Sequence, residues 1–434
     1  MNTKRGLITG LVVGLFLLGT VIVVIPGSGE ATFTGGVTIN ADGSVTPANA
    51  PIKYNKKSYR LTDDIDGWIL IKRSNIDVNG KGYTIKGDGN NFGIHLDEVN
   101  DVKVKNFYIY GASPGIKLDK SCRNDIKDNS ITNCVDNPST TSIEGGGITL
   151  YDYSNHNSIK ENYLTGNYGG VSLWVQCSEN VIKDNMVISN NFYGIVTDDS
   201  YKNIVKDNRV DNQGMMGIQF QRSANNIAKG NHVDGAFYYG ISIFGGSGGH
   251  MVIDNEVKNI GFSGIMINSE WDIIVRENYL SDNLVGIGSW YARDNLIESN
   301  YVTRSLGAPG IYLDSVTGYL VKENEVVENT FGIYFHNQYP DFEMDNLVKC
   351  NLVKENGYGF FSEGSLASGN VIHHNNIIDN TIQVVEQGTN TWNDGKGEGN
   401  YWSDYAGSDT DGDGVGDTAL PHNGVDYYPL MEEC

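Results

Sequence analysis

Aspartates at alternate positions give the sharpest chemical signal in the chain. Asp409, Asp411 and Asp413 fill positions 1, 3 and 5 of a loop, with Gly414 at 6, Val415 at 7 and Asp417 at 9. Carboxylates at 1, 3, 5 and 9, a glycine at 6 and a backbone carbonyl at 7 are the oxygen set that Ca²⁺ requires. The expectation is a structural calcium site made by Asp409, Asp411, Asp413, the Val415 carbonyl and Asp417. Position 12 is Leu420 rather than an acid, so Asp404 or Asp426 has to close the cage. A solvated acidic turn is the plainer reading of the same residues.

A second set is dispersed. Asp314, His336 and Glu363 lie 22 and 27 residues apart, each four residues after a glycine. On adjacent coils of a repeat they would place two carboxyl groups ~5–10 Å apart beside an imidazole, the separations used in glycoside hydrolysis, and they are the catalytic candidates. Asp198 and Asp199 form a further acidic pair. Surface carboxylates are common in a chain with 53 Asp and Glu against 31 Lys and Arg. That balance, 31 − 53 = −22, repels a nucleic-acid backbone and leaves neutral polymers or cations as the natural partners.

These residues need elements to hold them, and the elements repeat. A Gly-Ile or Gly-Val phrase recurs at Gly93, Gly115, Gly147, Gly170, Gly194, Gly217, Gly240, Gly264, Gly286, Gly310 and Gly332, more loosely at Gly359, mostly 22–24 residues apart. A second phrase, Asn-x-Ile-x-x-Asn-x-Leu and its variants, places an Asn at 129, 162, 185, 208, 231, 255, 278, 300, 324, 351 and 375. Each unit holds three short strands of period-2 alternation and no helix-length apolar pattern. Strands this short are stable only when units stack in parallel ~4.8 Å apart, so the expected fold is an all-β parallel β-helix of about a dozen coils. The recurring Asn is expected to form an amide ladder at one bend.

Alternation puts Ile94 and Leu96 inward and the third and fifth residues of each phrase outward. The outward aromatics Tyr151, Trp174, Phe244, Trp290, Tyr312 and Tyr334 then form a stripe suited to sugar rings, unless loops or a partner chain cover it. Arg222 and Arg293 fall away from Asp314 in this register.

Beyond these phrases, Ile39-x-x-Asp42-Gly43-Ser44, Tyr59-x-Leu61-Thr62 and Asn79-Gly80-x-Gly82-Tyr83-x-Ile85-x-Gly87 open the chain, and Gly399-Asn400-Tyr401-Trp402-Ser403-Asp404-Tyr405 with Tyr428-Pro429-Leu430 closes it. With them the sequence, from residue 37 to its end, resembles the NosD-like family of secreted right-handed β-helices, also called carbohydrate-binding and sugar-hydrolase (CASH) domain proteins. The resemblance implies the fold, and a carbohydrate or copper-handling role. Copper needs clustered soft or imidazole ligands, whereas His373-His374 and Met215-Met216 are isolated pairs whose neighbours should face opposite ways. The Asp409 loop is similar to the calcium loops of dockerin and thrombospondin type-3 repeats. Asp198-Asp199 resembles the paired aspartates of polygalacturonase-type β-helices, but that family's Gly-His-Gly and Arg-Ile-Lys phrases are missing.

Lys4 and Arg5 precede an uncharged apolar run over residues 6–25, closed by Pro26 and Gly27, which reads as a signal-anchor or cleaved signal. The protein is then extracellular or at the cell surface, tethered to or released from the membrane. The divisions expected are residues 1–30 for that segment, 31–87 for an N-terminal cap and first coil, 88–386 for the repeats and 387–434 for a C-terminal cap. Among five cysteines the nearest pair is Cys122 and Cys134. Three roles compete: binding an extended polysaccharide or cell-surface glycan, cleaving or modifying one, and acting as a self-associating coat or adhesion protein.

Overall fold

The structure, a computed structural model, describes residues 33–135, 145–305, 307–339 and 343–434. The proposed signal-anchor lies outside the described residues, as do most of one inserted loop (136–144) and part of another (340–342).

Three strands per coil form three columns. A front column runs through Ile94–Asp97, Ile116–Asp119, Ile148–Tyr151 and Gly169–Trp174 up to Ile382–Glu386; a second includes Lys103–Lys105, Asp125–Lys127 and Ser158–Lys160; a third includes Tyr108–Tyr110, Ser130–Thr132 and Tyr163–Thr165. Pairing between coils is parallel and in register, so Ile116 sits between Ile94 and Ile148, and Ile195 follows Val171. The second column is a 15-stranded sheet. One of its strands is the antiparallel partner of Ser58–Leu61, which leaves 15 − 1 = 14 parallel levels, slightly more than expected. Inward Ile, Val and Leu side chains of all columns merge into one buried core.

The glycine of the Gly-Ile phrase has a steric cause. A Cβ at Gly217 would stand 2.5 Å from the Gly240 carbonyl oxygen of the next coil and 2.5 Å from Val233, closer than atoms can pack. The Asn phrase also has a cause. Asn162 donates Nδ2 to Asn185 Oδ1 at 3.0 Å and to the Lys160 carbonyl at 2.9 Å, wrapping Glu161, whose φ is 55°. The bond repeats coil by coil from Asn129 to Asn400, so one polar ladder satisfies the buried bend of each of those coils.

Both ends are closed. At the N-terminus Ile52–Asn55 and Ser58–Leu61 form an antiparallel hairpin, and the buried Tyr59 hydroxyl donates to the Gly43 carbonyl at 2.8 Å. Stacking begins earlier than the 31–87 cap boundary implies, because Phe33–Ile39 already pairs in parallel with Ile65–Ile71. At the C-terminus Trp392 and Trp402 are buried with ring centroids 5.8 Å apart, and Trp392 packs on Phe360. Covered edges keep a solenoid from recruiting other chains.

Candidate functional site

Register carries the dispersed residues together. In the strands Pro309–Asp314, Phe331–His336 and Tyr358–Glu363, the side chains of Ile311, Leu313, Ile333 and Phe335 point into the core, which turns Tyr312 and Tyr334 outward. Asp314 pairs with His336, and His336 with Glu363. His336 Nδ1 lies 3.1 Å from Asp314 Oδ1, and its Nε2 lies 3.7 Å from Glu363 Oε2. The three catalytic candidates therefore form one contiguous group.

Their environments differ. Asp314 is 2% exposed and accepts from Ser315 Oγ at 2.9 Å and from Gln338 Nε2 and the Tyr312 hydroxyl at 3.3 Å. Glu363 has a half-exposed side chain and accepts from the Tyr334 hydroxyl. Burial, then the Asp314 carboxylate, pushes the Tyr312 hydroxyl well above its ordinary pKa; burial, then the bond to Glu363, does the same for Tyr334. Both phenols consequently remain protonated donors at neutral pH. The arrangement is a fixed carboxylate, an imidazole bridge and an accessible carboxylate, with two phenol donors facing them.

Aromatic rings floor this group. Trp290 contacts Tyr312 at 5.2 Å between centroids, Tyr312 contacts Tyr334 at 5.3 Å, and Tyr334 contacts Phe361 at 4.9 Å. Trp290 lies back over Gly288, where a Cβ would stand 2.3 Å from the indole. The shelf from Trp290 to Phe361 is thus continuous over four coils.

Elsewhere the expected stripe is not uniformly outward. Ser172, Val196, Asp198, Ser242 and Met266 are buried. A second row of aromatics, which the repeat phrase did not reveal, packs across them from positions just before each glycine. Trp174 meets Tyr193 at 6.4 Å, Phe244 meets Tyr239 at 5.5 Å and Trp290 meets Phe262 at 6.0 Å. Tyr151 lies under the Lys117 ammonium at 5.3 Å. The signal in the sequence is Tyr168, Phe192-Tyr193, Tyr238-Tyr239, Phe262, Phe331 and Tyr358, one or two residues before the phrase glycines.

The remaining candidates separate. Asp198 is buried and paired with Arg222, while Asp199, on a left-handed bend, accepts from Gln176 and Tyr201, so the two carboxyls face different partners. Arg293 lies over the Trp271 ring. Cys134 and Cys177 are buried, with burial pushing both thiols up to about 12, and Cys122 contacts the Tyr153 carbonyl; the nearest pair in sequence, Cys122 and Cys134, is not bridged, and Cys134 sits in the core. His373 and His374 do not face opposite ways. A left-handed bend at His374 brings their Nδ1 atoms to 2.6 Å, with Glu398 on His374 Nε2 at 2.9 Å.

In the aspartate loop, one ligand oxygen each from Asp409, Asp411 and Asp413 lie within 4.8 Å of one another, the only such group of three among the described residues. Asp409 accepts from the Gly414 and Gly412 amides, which hold its carboxyl low. Asp411 accepts from the Asp413 amide, yet the crowding carboxylates of Asp413, Asp417 and Asp409 push it up. A cation would relieve that repulsion. Asp417 turns onto the Thr410 amide and hydroxyl, and Val415 donates its amide to Asp413. Neither proposed closing residue is available as expected: Asp404 bonds His422 at 2.9 Å, and the buried Asp426 accepts from the Asn400 amide, the Trp402 indole and the Tyr428 amide. An all-carboxylate set suits a hard cation and not copper; for copper, the two imidazoles of His373 and His374 have no third His, Cys, Asp or Glu ligand at that spacing among the described residues.

Residues 92–255 match the family described as right handed beta helix region, and residues 252–407 match the family described as periplasmic copper-binding protein (NosD). No curated protein sequence matches the chain closely enough to be a relative. Among solved structures, the chain is similar to the A-module of the mannuronan C-5 epimerase AlgE4 of Azotobacter vinelandii, with 12% identity, a TM-score of 0.53, and coverage of 75% of this chain and 91% of that one. The AlgE6 A-module from the same organism gives 12% identity and a TM-score of 0.52, covering 75% and 90%. A point mutant of the periplasmic alginate epimerase AlgG gives 13% and 0.52, covering 81% and 82%. At such identity the likeness is one of fold. The two family matches and the stacked coils make the chain a NosD-like right-handed parallel β-helix.

Proposed function

We propose that the protein is an exported polysaccharide-binding β-helix that lays an extended glycan along its front column, centred on the shelf from Trp290 to Phe361. The carrying observation is the unbroken contact of Trp290, Tyr312, Tyr334 and Phe361 beside Asp314, His336 and Glu363. Rings at successive ~5 Å levels, each edge-on or tilted to the next, match the repeat of a linear sugar polymer, and the flanking Glu363 carboxylate and phenols supply hydrogen bonds to its hydroxyls. The glycan-acting proteins of similar fold support a carbohydrate role, and the periplasmic family match supports export. Trp290→Ala and Tyr312→Ala should each weaken retention on a glycan column or array by about tenfold, with the circular dichroism unchanged. Equal retention by both variants would sink the reading.

A second reading, modification of the glycan, draws on the Asp314–His336–Glu363 contacts with Tyr312 and Tyr334. A polymer laid on the shelf would meet the half-exposed Glu363 and the imidazole, the two groups able to exchange a proton with it, while Asp314 orients the ring. Loss of a depolymerising or epimerising activity in Asp314→Asn would put this reading first.

The aspartate loop binds Ca²⁺ in this proposal, with Asp409, Asp411 and Asp413 as carboxylate ligands and the ion pinning the C-terminal cap. Binding to the folded state alone raises the melting temperature by mass action. Calcium added after chelation should raise it by about 3 °C, and Asp411→Asn should abolish the rise. A melting curve indifferent to calcium would remove the site.

A further inference from the structure

We infer that the polymer held on the Trp290–Phe361 shelf carries amino groups rather than carboxylates, an inference that rests on the polysaccharide reading above. It comes from how charge is distributed along the front column. Toward the N-terminus four carboxylates in or just after those strands have cations: Lys72 lies 3.4 Å from Asp97, Lys117 3.9 Å from Asp119, Lys120 3.4 Å from Asp152, and Arg222 pairs with Asp198. Beyond Arg222 the compensation stops. The front strands from Tyr239–Phe244 to Ile382–Glu386 contain no Lys or Arg, and neither do residues 306 and 340–342 outside the description. Arg293 lies over Trp271, and Arg304 is held by Asp282 at 2.7 Å, both off the shelf.

The shelf therefore holds a buried Asp314 and a half-exposed Glu363 against a single imidazole. Even a protonated His336 leaves one negative charge uncompensated. Glu386 completes no further pair, since it accepts from Asn390 and the Trp392 indole in the cap. Beside these carboxylates lie the rings of Trp290, Tyr312, Tyr334 and Phe361, each turned edge-on or tilted to the next, and the faces open among them attract cations and repel anions. A uronate carboxylate laid here would meet the half-exposed Glu363 carboxylate, with Asp314 buried behind His336, and no guanidinium or ammonium. A neutral sugar would stack but leave the charge unmatched. A protonated sugar amine meets both attractions at once: the ring quadrupoles below it and the half-exposed Glu363 carboxylate beside it.

The test compares three hexasaccharides on the full chain by calorimetry, at mildly acidic pH and low salt: β-1,4-linked glucosamine, its fully N-acetylated form, and an oligouronate. The glucosamine oligomer should bind about tenfold tighter than the acetylated one, with no measurable uronate binding. Its affinity should fall with added salt, whereas that of the acetylated oligomer should not. Glu363→Gln should weaken glucosamine binding severalfold more than it weakens binding of the acetylated oligomer, which loses a hydrogen bond but no charge pairing. Equal or tighter binding of the acetylated oligomer, or binding of the uronate, would overturn this inference while keeping the polysaccharide reading. Binding of none of the three would remove the polysaccharide reading and this inference with it.

Discussion

Asp426→Ala should uncap the β-helix. Asp426 is fully buried and closes the longest Asn ladder, its Oδ2 accepting from the Asn400 amide and the Trp402 indole at 2.9 Å and its Oδ1 from the Tyr428 amide at 2.9 Å. Alanine leaves three donors in the cap without an acceptor, and each unsatisfied buried donor costs ~1–3 kcal/mol. Partial relaxation brings the expected loss to about 4 kcal/mol in denaturant titration. The cap holds Tyr401–Trp402 against Asn376–Ile378, so its release exposes an unpaired strand edge and the Trp392–Trp402 contact. Self-association detected by light scattering should therefore accompany the loss. Asp426→Asn, nearly isosteric, should fall between the two. Unchanged stability and a monodisperse Asp426→Ala protein would mean that the cap is held by other contacts, and deletion of residues 387–434 would then be the remaining test of whether a cap is needed.

The fold was legible because the constraints behind it repeat. A glycine is required wherever the next coil's carbonyl crosses at 2.5 Å, as at Gly217, and an Asn wherever the ladder turns, as at Asn162 and Asn185. Such requirements recur in every coil and leave a period in the sequence. The grouping of Asp314, His336 and Glu363 was legible for the same reason, since equal offsets from the phrase glycine mean neighbouring positions on adjacent coils.

What periodicity could not supply was which outward residues lie open. Trp174, Phe244 and Trp290 hold the same repeat position, yet each meets a ring from a different place: Tyr193 opens the strand of the next coil, Tyr239 opens Phe244's own strand, and Phe262 precedes the strand of the coil before Trp290. Side-chain direction at a turn is set by a few φ angles rather than by period. The same limitation explains His373 and His374, whose rings meet only because the bend at His374 has a φ of 53°. It also explains Asp426, which the loop spacing offers as a cage-closing ligand until the last coil is seen to need an acceptor.

Where a ladder position departs from Asn, the substitution has a measurable consequence, and His250 shows it. The residue is fully buried, stacked on Phe220 at 5.3 Å, with Nδ1 accepting from the Asn226 amide at 3.2 Å and Nε2 donating to the Ser223 carbonyl at 2.9 Å. It thus imitates the amide that Asn226 supplies one coil earlier to Asn203. Unlike an amide, it titrates. Burial lowers its pKa from 6.5 to about 4. The folded protein keeps the ring neutral while the unfolded chain protonates it, so the stability this site contributes is complete above the unfolded pKa and is lost as pH falls through the window from about 6.5 to about 4. The size of that loss is about 3 kcal/mol, from ~1.4 kcal/mol per pKa unit. His250→Asn should restore the amide, stay within about 1 kcal/mol of the parent at neutral pH, and flatten the acid limb by the same ~3 kcal/mol. Carboxylates that titrate in both proteins cancel in the comparison of their urea midpoints across that range. Parallel acid limbs for the two proteins would show that His250 is protonated in the folded state, and that the ladder at this coil tolerates a charge.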